Sequence, residues 1–139
     1  MSLRFLLDAG IALEPIGPEP NERLLERMAE HSGTLAIAAP TWHELRFDCE
    51  RLPKSRRKNL IESYLDTVVR VDFPVLPYDE TAAAWHARER ARLLAKGLEP
   101  AFAAGQIAAI AGVRGLVLVT SNRAAFADFA DLQLDDWLS

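Results

Sequence analysis

A chain of 139 residues, half of them hydrophobic and 26% charged, is long enough to bury the core of one domain and too short for two ordinary ones. A net charge of −4 with a pI near 5.4 excludes a protein that coats nucleic acid by bulk charge. No run approaches the roughly 20 apolar residues of a membrane span, and "MSLRFLLDAG" meets an acid too soon for a signal peptide, so a cytoplasmic protein is expected.

In chain order, "LRFLL" is apolar with no room for a helix before Asp8, and reads as a buried strand whose carboxyl end delivers Asp8. "GIALEPIGPEP", with three prolines and two glycines, is expected as a loop or a short turn before a helix that opens near the favourable cap Asn21. Leu24, Leu25 and Met28 share one face of that helix, and His31-Ser32-Gly33 closes it. "TLAIAAP" reads as a second buried strand ended by Pro40. From Thr41 the pattern turns helical, with Trp42, Leu45 and Cys49 three or four apart, until Pro53. Cys49 is the one cysteine, so it lacks an internal disulfide partner and reads as an inert, packed thiol.

The spacing predicts a further helix over 55–69 with Leu60, Ile61, Tyr64, Leu65 and Val68 inward. "FPVLPYDE" holds a short strand closed by Pro77, and Asp79 caps a long helix that ends at Gly97. Another helix covers 102–112, "FAAGQIAAIAG", with Ile107, Ile110 and Ala111 as its apolar stripe. "LVLVT" reads as a strand ending at Thr120, Ser121-Asn122 turns the chain into a short helix, and "LQLDDWLS" gives a last edge strand.

Strands alternating with helices imply a mainly parallel sheet covered on both faces, as a single domain over residues 1–139. In such sheets working groups sit beyond the carboxyl ends of the strands, which brings Asp8 and the Thr120-Ser121-Asn122 turn to one edge. Plainer duties compete at each position. Asp8 and Asn122 suit turns and caps, and Thr41-x-x-Glu44 has the form of a capping box, in which the two side chains satisfy opposite backbone amides. "RLPKSRRK" reads as a solvated linker between two helices or as a phosphate-meeting patch. Arg88, Arg92 and Lys96 read as a solvated face or a phosphate-facing ridge. His31, His43 and His86 lack the spacing of a zinc site, and Trp42, Trp85 and Trp137 read as core or dimer contacts.

Four motifs, "FLLDAGIALEP", "APTWHELRF", "FAAGQIAAIAG" and "LVTSNRAAF", resemble in order and spacing those of PIN-domain ribonucleases, above all the VapC and FitB toxins of bacterial toxin–antitoxin pairs. The resemblance covers nearly the whole chain. It implies a three-layer α/β/α fold and a metal-dependent endoribonuclease that uses Mg²⁺ or Mn²⁺. Hard cations of this kind prefer oxygen ligands. Carried over by position, Asp8 takes the first acidic role, Glu44 the second, and Asn122 the place of a last acid or amide, with Thr120 supporting it by a hydrogen bond. The aspartate expected two residues before the glutamine of "QIAA" is replaced by Ala104. Ala9, Gly10 and Ala125 also stand where threonine, asparagine and an acid are usual. A methyl group neither ligates a cation nor takes a proton.

The resemblance further implies a homodimer, a VapB-like antitoxin whose C-terminal segment crosses the active-site groove, RNA as substrate, and DNA bound only through the antitoxin. A substitution that silences a toxic nuclease and a natural loss that leaves a binding subunit both give this pattern. A receiver-like signalling domain is disfavoured, since no second acid adjoins Asp8 and no lysine follows a late strand.

Overall fold

In a computed structural model the structure is described for residues 2–138. Five strands, β1 (Phe5–Leu7), β2 (Leu35–Ala38), β3 (Val75–Leu76), β4 (Val117–Val119) and β5 (Leu134–Asp135), form one sheet in the order β3-β2-β1-β4-β5. Every pairing is parallel, with Phe5 opposite both Leu35 and Val117. Side chains alternate across the sheet. Phe5, Leu7, Leu35, Ile37 and Val119 enter one core, and Leu6, Ala36, Ala38 and Leu118 the other.

The first core is covered by α1 (Ala9–Leu13), α2 (Glu22–Glu30), α3 (Ala39–Glu50) and α4 (Arg56–Tyr64). The second is covered by α6 (Glu80–Ala95), α7 (Phe102–Arg114) and α8 (Arg123–Phe126), after the single turn α5 (Arg70–Asp72). The three-layer α/β/α arrangement is therefore as expected. β2 and β3 lie on one side of β1, and β4 and β5 on the other, so the winding reverses between β1 and β4. Open parallel sheets form a crevice beyond the strand ends at such a reversal.

The apolar character of α7 follows from its place. Ile107, Ala108, Ile110 and Ala111 are buried in the core beneath the sheet, and α6 packs against the helix. Two glycines allow the close approach. A Cβ on Gly105 would lie 2.1 Å from His86 Nε2, and one on Gly112 would lie 2.9 Å from Trp85 Cε2. Gly115, at φ 64°, then ends the helix in the left-handed conformation that glycine adopts without strain.

Several local expectations change. "GIALEP" is helix rather than loop: Asp8 caps α1, Ile11 and Ala12 are fully buried, and Tyr64 Oη donates to the Ala12 carbonyl at 2.7 Å. Tertiary burial outweighs the neighbouring prolines, the first of which enters only in a 3₁₀ turn at Glu14–Ile16. Pro40 does not precede α3 but sits in its first turn, where a missing N–H costs nothing. Leu25 and Leu60 are exposed, since Leu24, Ile61 and Tyr64 take the inner positions.

The 55–69 helix divides into α4 and a π-helical turn, Leu65–Val69, which turns both of its end residues into the core. The final strand shortens to Leu134–Asp135. Trp137 follows it, 1% exposed, with its ring 5.0 Å from that of Phe5 and Nε1 donating to Asp135 at 3.1 Å. Ser139, in the motif "LQLDDWLS", lies outside the described residues. Among the described residues no helix is long and apolar enough to cross a membrane.

Candidate active site

β1 and β4 deliver Asp8 and Thr120 side by side. The Asp8 amide donates to the Val119 carbonyl at 2.9 Å, which continues the strand pairing by one residue. One carboxylate oxygen of Asp8 accepts from the Ala9 amide at 2.9 Å, and the other accepts from Thr120 Oγ1 at 2.7 Å. The fully buried Thr120 hydroxyl also accepts from the Asn122 amide at 3.0 Å. One hydroxyl thus supports both Asp8 and the Asn122 turn, and a hydrogen bond to an ionised acceptor is among the stronger kinds. The capping reading of Asp8 holds as well, because it caps α1 with the oxygen that Thr120 does not use. Asn122 is exposed, and its Oδ1 caps α8 through the Ala125 amide at 3.3 Å.

Glu44 comes from α3. The capping box is not formed: α3 begins at Ala39 after Ala38, with no side-chain cap, so Thr41 lies inside the helix. Among the described residues the buried Thr41 Oγ1 has no hydrogen-bond partner. Glu44 is exposed as a residue, yet partial burial of its carboxyl group pushes its pKa up, and the negative charges of Asp8 and Asp48 add to this. Asp8 is thus near enough for its charge to act on Glu44.

Ala104 is 8% exposed on α7, which packs against both α3 and α8. Its neighbours Ala103 and Gln106 line an open groove of about 560 Å³ together with Glu44, His43, Phe47 and Tyr78. The first turns of α7 therefore lie beside the Glu44 element, with a methyl group where a third acid is expected. Among the described residues no three His, Cys, Asp or Glu side chains gather closely enough to hold a metal ion.

Other candidates go elsewhere. Arg92 is no phosphate ridge: it pairs with Glu89 through two contacts of 2.8 and 2.9 Å and donates to the Asp128 carbonyl at 2.9 Å. Glu89 also receives the Ala130 amide, so the pair ties α6 to the segment after α8 and holds the Glu89 carboxyl below its usual range. Cys49 is buried, which pushes its thiol up towards the inert side.

Sequence reasoning missed the pairing of buried His86 with Tyr78, whose hydroxyl meets His86 Nδ1 at 2.8 Å on the groove side of α7. Burial, and then Arg90, pull the imidazole below its usual range. The available signal was Gly105 and Gly112, two helical turns apart in a helix of Ala and Ile, since that spacing marks a close crossing.

Residues 5–132 match the family model described as PIN domain. The chain belongs to the PIN-domain family. It is 31% identical over 136 residues to the tRNA(fMet)-specific endonuclease VapC of Salmonella typhimurium, covering 97% of this chain and 98% of that protein. It is 32% identical over 124 residues to Toxin FitB of Neisseria gonorrhoeae, covering 87% and 89%. Among solved structures, FitAB bound to an IR36 DNA fragment superposes with a TM-score of 0.85 at 28% identity, over 97% of this chain and 96% of that one. The parallel sheet and the crevice at its winding reversal are thus those of a PIN domain.

Proposed function

We propose that this PIN-domain chain is the toxin of a toxin–antitoxin pair, built on a metal-dependent endoribonuclease site whose cleavage of RNA is impaired by Ala104. The observation that carries the reading is the Asp8–Thr120–Asn122 arrangement at the winding reversal, with Glu44 in electrostatic reach of Asp8. The relatives' names support the reaction class: one is a tRNA(fMet)-specific endonuclease and another a toxin. The FitAB complex with DNA supports a VapB-like antitoxin as partner; DNA bound through that partner, and a homodimer, rest on the resemblance alone.

The residues present fit a divalent cation in part. Asp8 and Glu44 offer hard oxygen donors; burial first, and then the negative charge of Asp8, raise Glu44, and the second of these is of the kind a cation relieves. Mg²⁺ or Mn²⁺ held by these two carboxylates would supply an activated water and neutralise charge on a scissile phosphate. In this chain Thr120 fixes the direction of the Asp8 carboxylate, Asn122 adds a neutral amide at the rim, and the Ala104 methyl contributes no ligand. Fewer charged ligands mean weaker cation binding, hence weak cleavage.

The test is cleavage of structured RNAs by this chain and by Ala104→Asp, in Mg²⁺ or Mn²⁺ and with a chelator control. Cleavage by the aspartate variant alone, stopped by the chelator, supports the reading; robust chelator-sensitive cleavage by the unaltered chain overturns the impairment. A catalytically inactive PIN-fold binding subunit is the second reading, favoured by the way Ala104 is packed into the core. It gains if neither chain cuts while both hold the same partner.

A further inference from the structure

The joint between α3 and α4 carries Arg51, Lys54, Arg56, Arg57 and Lys58, five of the 16 lysines and arginines in a chain of net charge −4. Two of the five serve the fold. Lys58 Nζ donates to the carbonyls of Glu50 at 3.1 Å and Leu52 at 3.2 Å, closing the end of α3. Arg51 pairs with Asp48 at 3.4 Å and lies over the Phe47 ring at 5.6 Å. Ser55 caps α4 through the Lys58 amide at 3.1 Å, so the turn has a fixed shape.

Lys54, Arg56 and Arg57 remain exposed, and among the described residues no carboxylate lies within ion-pair distance of them. Arg56 and Arg57 are the first two residues of α4, and a helix N-terminus adds positive potential there. Arg51 and Arg57 line one open cleft of about 410 Å³ together with Ala9, Gly10 and Glu44, over an apolar floor that includes Ile61. The cleft begins at Ala9, next in sequence to Asp8, and runs past Asp48, whose charge Arg51 meets, to Arg57, which has no such partner among the described residues. Cations suit phosphates, while an apolar floor suits a ribose or base face.

We infer that the α3–α4 turn is the phosphate-holding end of an RNA track: Arg57 grips the backbone within the cleft, and Lys54 and Arg56 grip it just beyond. The inference rests on the ribonuclease reading, and it gives that site a direction along which the strand lies. Neither Glu44 nor Asp8 is asked to bind RNA in it, so binding is measurable without metal or cleavage.

The experiment is fluorescence anisotropy of a labelled single-stranded RNA with the full chain in chelator, over about 50–200 mM salt. The variants are Lys54→Gln/Arg56→Gln/Arg57→Gln and, as a charge control on α2, Arg23→Gln/Arg27→Gln. Each phosphate contact to a single strand contributes about 0.7 to the slope of log affinity against log salt, so the triple variant is expected to lose about 2 units of slope. At about 100 mM salt its affinity should fall at least tenfold, while the α2 control keeps both slope and affinity.

An unchanged slope in the triple variant overturns the inference, as does an equal loss in the α2 control. Tighter binding of a poly-glutamate peptide than of RNA, abolished in the triple variant, assigns the turn to an acidic protein partner and also overturns it. Unfolding of the triple variant is monitored by circular dichroism, and Arg57→Lys, which keeps charge, should restore most of the loss seen in Arg57→Gln. Failure here leaves the carboxylate site standing, because that site is tested by cleavage after Ala104→Asp.

Discussion

Helix α7 presents two surfaces with different histories of fit. Against α6 it is complete, with His86 seated over Gly105, Trp85 over Gly112, and the His86 ring held by the Tyr78 hydroxyl. Beside the Glu44 groove the same helix presents Ala103 and Gln106, with the nearly buried Ala104 between them and no carboxylate. Packing and side-chain chemistry are therefore separable here: the helix carries a methyl at position 104 without disturbing the crossing, whereas a methyl gained one position later would meet His86.

That contrast is broken most severely at Gly105. In Gly105→Ala the new Cβ would meet His86 at 2.1 Å, so the ring must leave its place and give up the Tyr78 hydrogen bond. Overpacking of this kind costs about 2–3 kcal/mol, measurable by urea denaturation. Removing the obstructing ring in Gly105→Ala/His86→Ala should make the two losses less than additive. Full additivity would mean that the crossing is not set by this contact.

On the chemical side the sharper probe is Thr120→Val, made in the Ala104→Asp background. Without the hydroxyl, Asp8 loses a donor and the Asn122 amide loses its acceptor. Removing a group that orients a ligand costs about 10- to 100-fold in activity or metal affinity, so RNA cleavage should drop by that factor and Thr120→Ser should recover it. A loss seen only in stability would reduce Thr120 to a packing role.

The smallest effect is on pH dependence. His86 has a pKa below its ordinary 6.5, chiefly through burial and secondarily through Arg90. The unfolded chain then takes up a proton below 6.5 that the folded chain refuses, so stability is full above 6.5 and falls as pH drops through the folded-state pKa. Glu89, depressed from 4.5 by Arg92, keeps its contribution until a lower pH and does not blur this window. The melting temperature should fall between pH 7.5 and 5.5 more steeply in this chain than in His86→Gln. Parallel profiles would show that the α6–α7 crossing is indifferent to the proton.

Much of this was legible in the sequence because periodicity and termini carry strong signals. The parallel strands, the Asp79 and Asn21 caps, and the delivery of Asp8 and Thr120 to one edge follow from apolar runs and turn residues. α1 was not legible, since five residues beside prolines become helical only through burial of Ile11 and Ala12 against the rest of the chain. Nor was the freedom of Glu44 from capping, which depends on Pro40 entering the first turn of α3. The Arg92–Glu89 pair lies within one helical turn, but the reach of Arg92 to the Asp128 carbonyl is a long-range fact that a local charge pattern does not contain.

The central claim, that a cation site survives here short of one carboxylate, is tested most directly by thermal unfolding of this chain and of Ala104→Asp, each in chelator and in Mn²⁺. A third acid beside Asp8 and Glu44 should lower the melting temperature of the variant in chelator. Mn²⁺ at 100 times its dissociation constant should then restore about 2.7 kcal/mol, while the unaltered chain responds little. Equal responses to Mn²⁺ in the two chains, or none in the variant, would contradict the account.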